Sequence, residues 1–159
     1  PTEKYDQHQS WNVTDIHSRW DSNWYLDIVK NGYYRKTDDT LTNIVFFPLY
    51  PLLVKGASVV LGNNIIFSAW MISSLFFLLS CALLFKFAYK FHKDSDPLLT
   101  VFLLLIFPTA FFLNAIYTES LFLFLSLATF YLAFDKKYFW AGAIGFLAAL
   151  TRITGILLF

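Results

Sequence analysis

The stretch His17-Ser-Arg-Trp-Asp-Ser-Asn-Trp-Tyr25 concentrates polar, aromatic and ionisable side chains near the amino terminus. Its centre is Asp21, which Trp20 and Trp24 flank. Carboxylates are among the groups that enzymes use for proton transfer, so one interpretation is a functional polar site held at a membrane face. Asp21 also precedes a run without a helix breaker, where it could simply accept a hydrogen bond from a free backbone amide as an N-cap. The residues leave both roles open.

Arg152 is the second polar group that requires an explanation, because it lies within the apolar run 139–159. A guanidinium inside the hydrocarbon of a bilayer costs about 2.5 to 3.5 kcal/mol on insertion scales, so it usually has a partner. Glu119, at the start of the preceding apolar run, is one candidate. A lipid phosphate is the other, because the guanidinium fork matches phosphate geometry. The structural alternative is a salt bridge to Glu119, or an Arg152 that snorkels to the headgroups.

Aromatic and acidic side chains near these charges allow more than one function. Trp20, Trp24 and Tyr25 form either an interfacial aromatic belt, which is common in membrane proteins, or a wall on which a substrate stacks. The adjacent Asp38 and Asp39 form an ordinary polar turn that could bind a divalent cation weakly. The sequence contains no Gly-rich phosphate loop, no His-Glu-x-x-His and no Ser-His-Asp arrangement, so no metal-ligand set is predicted.

The composition is that of an integral membrane protein. Hydrophobic residues make up 57% of the 159 residues and charged residues 14%, whereas about 25% is usual in soluble domains. The net charge of +1 without a basic patch argues against a nucleic-acid partner. Cys81 is the only cysteine, which excludes an intrachain disulfide. Neither end resembles a natural terminus, so we expect the chain to be incomplete at both ends.

The apolar pattern predicts an all-α, polytopic membrane helical bundle. Residues 1–64 are expected to form an outer loop with short interfacial helices, one over about 22–31 and one that starts at Pro51. Lysines follow the first and third of the four predicted spans, which predicts that those junctions are cytoplasmic. Asp21, Glu119 and Arg152 then share the opposite, non-cytoplasmic face. The four spans are about 65–91, 98–115, 117–134 and 139–159.

Four sequence blocks occur in a definite order along the chain. They are Trp20-Asp21 with Tyr25 and Gly32-Tyr33, Phe46-Phe-Pro-Leu-Tyr-Pro51, Pro108-Thr-Ala-Phe-Phe112 with Tyr117-Thr-Glu-Ser-Leu-Phe122, and Arg152 with Gly155. Taken together, they resemble the signature blocks of the PIG-V family of GPI mannosyltransferase 2 and its prokaryotic relatives. That family belongs to the GT-C class of membrane glycosyltransferases.

The resemblance implies an enzyme that takes a hexose, usually mannose, from a polyprenyl- or dolichyl-phosphate carrier. The sugar would pass to a lipid or glycan acceptor on the periplasmic, extracellular or ER-luminal face. It implies Asp21 as the general base of an inverting displacement, Arg152 facing the phosphate, and Glu119 orienting Arg152 or contacting sugar hydroxyls. The fragment alone is expected to be inactive. The remaining substrate-binding candidates are aromatic: Tyr117, Tyr50, Trp20 and Tyr25.

The partners that the resemblance implies are membrane lipids, the lipid-linked donor and a glycan or glycolipid acceptor. Whether a divalent metal takes part as a cofactor is left open. Two other classes compete with the transferase. A transporter or flippase would use Arg152 and Glu119 as a charge relay, and would place polar residues along several spans rather than at one face. A non-catalytic membrane subunit would keep the fold without needing Asp21 or Arg152.

Overall fold

The computed structural model describes residues 21–34, 43–92 and 94–158, and most of these residues lie in helices. No strand occurs in these ranges, so the all-α prediction is confirmed there. Short 3₁₀ helices at Asn43–Val45, Ala110–Leu113 and Ile153–Leu158 accompany the α-helices. The α-helices are α1 Ser22–Asn31, α2 Leu49–Val60, α3 Ile65–Phe91, α4 Pro97–Ile106, α5 Glu119–Phe134 and α6 Tyr138–Ala149.

Helix α3 has the length and apolarity needed to cross a membrane, and it is the only helix of the described ranges that has both. Its 27 residues rise about 40 Å, which exceeds the roughly 30 Å of hydrocarbon in a bilayer. The Asn64 side chain caps it by accepting a hydrogen bond of 3.1 Å from the Phe67 backbone amide. The helix has the bounds predicted for the first span.

The other three apolar runs form helices that are shorter than the spans expected for them. Helix α4 has 10 residues, α5 has 16 and α6 has 12. The structure therefore establishes one helix of spanning length, and membrane crossing by the other three runs stays a prediction.

Pro108 explains why α4 stops well before residue 115. A proline lacks the backbone N–H that a helix needs and pushes the residue before it out of the helical region. Phe107 accordingly has an extended backbone, with φ −63° and ψ 134°. The chain then turns through the 3₁₀ helix Ala110–Leu113 and reaches α5 only at Glu119. This interruption opens the space beside α5 in which the candidate site lies.

The end of α6 is set by contacts with the residues that follow it. The Thr151 hydroxyl donates a hydrogen bond of 2.6 Å to the Ala148 carbonyl. Gly155 lies so close to Ala148 that a Cβ on Gly155 would come within 2.4 Å of the Ala148 carbonyl atoms. The chain therefore folds back as the 3₁₀ helix Ile153–Leu158 instead of continuing α6 to residue 159.

Small polar residues bring α3 close to α5 and to the segment before it. Ser73 and Ser80 are fully buried on α3, and the Ser80 hydroxyl contacts the Ser120 carbonyl at 3.3 Å. Small residues allow two helix backbones to approach each other closely. Helix α5 also packs along α6. The result is a rigid frame behind the candidate site.

Helices α1 and α2 cover the end of this frame that carries Arg152. The predicted bounds of α1 are observed, and Gly32 ends the helix with φ of 77°, a conformation that favours glycine. Helix α2 begins at Leu49, two residues before the predicted start at Pro51. The Leu49 amide donates to the Leu150 carbonyl at 3.1 Å, which fixes α2 to the end of α6.

A compact charge cluster closes the opposite end of the molecule. Asp135, in the turn between α5 and α6, pairs with Lys90 at the end of α3. The Lys137 ammonium lies 2.9 Å from the other oxygen of the Asp135 carboxylate. Hydrogen bonds from Lys90 and then Lys137 lower the pKa of the Asp135 carboxyl. Basic residues therefore gather at the end that the sequence predicts to be cytoplasmic.

Candidate active site

The centre of the site is the ion pair of Arg152 and Glu119. Arg152 lies just after α6, and Glu119 is the first residue of α5. The Arg152 Nη1 atom donates a hydrogen bond of 2.7 Å to Glu119 Oε1. The two side chains are 41% and 29% exposed, so the pair lies at a surface opening. The pairing suggested by the sequence is therefore observed, and it occupies one of the three guanidinium nitrogens.

The second oxygen of Glu119 is unusual. Glu119 Oε2 is buried, and no described residue donates a hydrogen bond to it. A buried carboxylate oxygen without a partner carries a desolvation penalty, so it favours a donor such as a hydroxyl group. The amino-terminal end of α5, where Glu119 lies, also stabilises negative charge through the helix dipole.

An apolar cleft of about 360 Å³ opens beside this ion pair. The break at Pro108 creates it, because the chain turns away from α4 there. Glu119 and Arg152 are the charged residues in its lining, and the Phe122 ring centroid lies 5.9 Å from the guanidinium carbon of Arg152. Such a ring face stabilises a cation. The other lining residues are Leu104, Phe107, Thr109, Ala110, Phe112, Leu113 and Leu123.

Asp21 occupies the N-cap position of α1, but its side chain makes no capping hydrogen bond. Its backbone carbonyl accepts the Trp24 amide at 3.0 Å and the Tyr25 amide at 3.3 Å, and the residue is exposed. The capping alternative is thus not what the carboxylate does. The group remains available at the amino-terminal end of α1.

Tyr25 is a buried tyrosine of α1 whose ring packs against Phe46 and Tyr50. Its side chain is 8% exposed, and burial raises the pKa of its hydroxyl. A hydrogen bond with the Thr118 side chain opposes that shift in part, and the charges of Glu119, Arg152 and Asp21 act on the same hydroxyl.

Tyr117 approaches the same region from the other side. It is 8% exposed, and the Ser73 hydroxyl of α3 lies 3.4 Å from its backbone carbonyl. Its ring packs edge-on against Phe112, a cleft residue, at 5.5 Å between centroids. Tyr117 therefore packs against the wall of the cleft.

Tyr50 lies behind Tyr25, away from the opening. It is fully buried, its hydroxyl donates to the Ala69 carbonyl at 3.1 Å, and its oxygen lies 2.9 Å from the Ser73 hydroxyl. The two tyrosine rings meet edge-on at 5.4 Å between centroids. Tyr50 therefore connects Tyr25 of α1 to α3, and direct contact between Tyr50 and a substrate stays a prediction.

The other aromatic and acidic candidates either make a structural contact or lie outside the described residues. Trp24 stacks on Phe46 at 5.9 Å between ring centroids, which ties α1 to the segment before α2. The residues Trp20, His17, Asp38 and Asp39 lie outside the described residues. Within the described parts of the chain, no group of three His, Cys, Asp or Glu side chains could hold a metal ion.

Asn43 and Thr118 are the structural contributors that the sequence did not reveal. The buried Asn43 side chain donates to Asp27 Oδ2 at 3.2 Å and to the Gly32 carbonyl at 3.0 Å, and it accepts from the Tyr34 amide at 3.1 Å. No local pattern marks Asn43. Thr118 could have been noticed because it directly precedes Glu119 within a recognised sequence block.

Comparison with known proteins gives one match. A family model described as Mannosyltransferase (PIG-V) matches residues 3–157, almost the whole chain. The match covers all four sequence blocks, which confirms the family resemblance. No curated protein and no solved structure matches the chain.

Proposed function

Because this chain belongs to the PIG-V family of mannosyltransferases, we propose that it binds a polyprenyl- or dolichyl-phosphate mannose and transfers the mannose by an inverting, GT-C-type displacement. One observation carries the proposal. The Arg152–Glu119 pair stands at the edge of an apolar cleft, and the Asp21 carboxylate, which directly precedes α1, makes no capping hydrogen bond. A lipid-linked phosphate donor needs a cation beside an apolar surface. An acceptor hydroxyl needs a carboxylate that can take its proton.

The donor has an apolar chain and an anionic phosphate, and the cleft offers a counterpart to each. Its aliphatic and aromatic lining suits an isoprenoid chain, because burial of apolar surface is favourable by roughly 25 cal/mol per Å². Arg152 is the cation at the edge of that lining. Its remaining guanidinium N–H groups suit phosphate oxygens. The phosphate would therefore be held by Arg152, and the lipid chain by the cleft.

Asp21 would act on the acceptor. Its carboxylate takes the proton from the acceptor hydroxyl while the hydroxyl oxygen attacks the anomeric carbon of mannose. The bond from that carbon to the phosphate oxygen breaks, and its electron pair leaves with the lipid phosphate. Arg152 stabilises the negative charge that develops on the phosphate. A single attack from the opposite side inverts the anomeric centre.

Glu119 would have two tasks in this arrangement. Through Oε1 it orients the Arg152 guanidinium. Through the buried Oε2 it would accept a hydrogen bond from a hydroxyl of the bound sugar, which would give that oxygen the donor it lacks.

The active face would be the non-cytoplasmic one. Glu119 and Arg152 pair at the amino-terminal end of α5, whereas Lys90 and Lys137 meet Asp135 just after its last residue. Lysine-rich ends of membrane helices tend to stay in the cytoplasm. The site would then open to the periplasm, the cell exterior or the ER lumen, with the chain crossing the membrane several times.

The proposal is tested with membranes that carry the full-length protein and with labelled polyprenyl-phosphate mannose as donor. Asp21→Asn should lower mannose transfer by about 10²- to 10⁴-fold, the usual contribution of a general base. The matched control is Asp94→Asn, the same change at an exposed aspartate between α3 and α4. It should transfer mannose at the wild-type rate. Wild-type transfer by Asp21→Asn would contradict the role of Asp21 as the general base.

A further inference from the structure

The apolar cleft beside the ion pair is short in the direction of the helices that form it. On α5 its lining runs from Glu119 to Leu123, which are separated by about 6 Å of helical rise. On the side of α4 it includes Leu104, in the last turn of that helix, and Phe107, just after it. The turn between the two helices supplies most of the remaining lining. The cleft therefore extends along about one turn of each helix.

The surface beyond the cleft is apolar but offers no enclosure. Leu127 lies one turn after Leu123 on the same face of α5, yet among the described residues the lining on α5 ends at Leu123. Helix α4 buries none of its residues, and its Leu99, Phe102 and Leu103 are each more than half exposed. Lipid tails are as apolar as leucine, so a ligand chain that continues past the cleft would gain little from contact with this surface.

The volume of the cleft limits how much of a lipid chain it can hold. An apolar cavity of about 150 Å³ in an engineered protein binds one benzene molecule, which has six carbon atoms. By that measure a cleft of about 360 Å³ has room for roughly 14 carbon atoms. Because an isoprene unit has five carbon atoms, this space corresponds to about three isoprene units.

We propose that the cleft binds only about the first three isoprene units of the donor, counted from the phosphate, and that the rest of the chain stays in the lipid. The inference rests on the proposed function, because it takes the phosphate to lie at Arg152. That guanidinium bonds to Glu119 through Nη1, and its other N–H groups suit an anion at the edge of the apolar lining. The enzyme would then recognise the phosphate and the start of the chain, and carriers of different total length would serve equally well.

The test measures kcat/KM of the full-length protein in detergent with mannosyl phosphates of increasing chain length. The lipid is dimethylallyl, geranyl, farnesyl, geranylgeranyl or undecaprenyl, and the variant is Leu123→Trp, which fills the cleft one turn away from Glu119. The ratio of variant to wild type cancels the partition of each donor into the micelles. It should stay near one for dimethylallyl and geranyl, fall about tenfold at farnesyl, and stay at that level for the longer chains.

Leu127→Trp is the matched control, because it places the same side chain on the same face of α5 but outside the cleft. Its ratio should stay near one at every chain length. A ratio that falls for the long chains in Leu127→Trp would overturn the inference, since the binding groove would then continue along α5. Leu123→Ala removes the contact instead of filling the space. It should lower the ratio from farnesyl onward, and it provides the same test if the tryptophan variant does not fold.

The outcomes distinguish this inference from the proposed function. A wild-type protein that transfers mannose from none of these donors would defeat both. Transfer from the undecaprenyl donor, combined with ratios for both Leu123 variants that are equal at all lengths, would overturn only the limit of about three units. A ratio that continues to fall between farnesyl and undecaprenyl would overturn it as well, because units beyond the third would then contact the protein.

Discussion

Arg152 donates a 2.7 Å hydrogen bond to Glu119, although the two residues are 33 positions apart in the chain. Both side chains are partly exposed, and exposed ion pairs contribute only about 0.2 to 1 kcal/mol. So small a contribution does not account for a guanidinium at the end of an apolar helix. The pair is better explained by what it can bind in the cleft next to it.

Glu119→Gln tests this explanation. The change should lower the free energy of unfolding by less than about 1 kcal/mol. The rate of mannose transfer should nevertheless fall at least about tenfold, because Arg152 loses the charge that orients it. Thermal melting and the transfer assay on the same preparation check both expectations. Asp135→Asn removes the other ion-pair carboxylate and should leave transfer unchanged. Equal transfer by Glu119→Gln and the wild type would contradict the explanation.

Asn43 should contribute strongly to stability although it lies in a 3₁₀ helix of only three residues. Asn43→Ala removes three hydrogen bonds made by a buried side chain and leaves their half-buried partners unsatisfied, which should cost about 1 to 3 kcal/mol. The matched control is Asn31→Ala, because Asn31 makes an exposed bond of 2.7 Å to the same aspartate, Asp27. That change should stay within about 0.5 kcal/mol. Equal effects of the two variants on thermal melting would show that burial of Asn43 does not matter.

Gly155 should not tolerate a side chain. A Cβ there would meet the Ala148 backbone at 2.4 Å, and overpacking of this kind usually costs about 1 to 3 kcal/mol. Because Gly155 follows Arg152 by three residues, the Gly155→Ala variant should also bind donor more weakly. Gly142→Ala is the control, since its Cβ would meet nothing within 4 Å and alanine favours a helix. Equal melting temperatures for the two variants would argue against the close contact.

The Asp135 cluster should give a pH-dependent contribution to stability. Its lysine partners hold the pKa of the Asp135 carboxyl below the ordinary 3.8. The stabilisation is therefore complete above that value, and it is lost as the pH falls through the lower folded-state pKa. The melting temperatures of wild type and Asp135→Asn should differ near neutral pH and converge in acid. A difference that stays constant with pH would contradict this linkage.

The features that local sequence determines were predictable. The bounds of α1 follow from the absence of breakers and from Gly32, and those of α3 from an uninterrupted apolar run. The break near Pro108 follows from proline chemistry. The pairing of Arg152 with Glu119 could be suggested because a charge in an apolar run needs a partner.

The features that depend on packing were not predictable. Helix α6 ends at Ala149 because Gly155 folds back onto it, a contact that apolar periodicity does not encode. Tyr50 belongs to a recognised motif, yet its hydroxyl bonds to α3 because the angle between the two helices directs it there.

The central claim is that Arg152 holds the phosphate of a lipid-linked donor while Asp21 carries out proton transfer. Binding of a polyprenyl phosphate, measured on wild type, Arg152→Ala and Asp21→Asn in the full-length protein, tests it most directly. We predict that Asp21→Asn binds like the wild type, and that Arg152→Ala binds at least about tenfold more weakly, the loss of one strong charge-assisted contact. Equal binding by Arg152→Ala and the wild type would contradict the account.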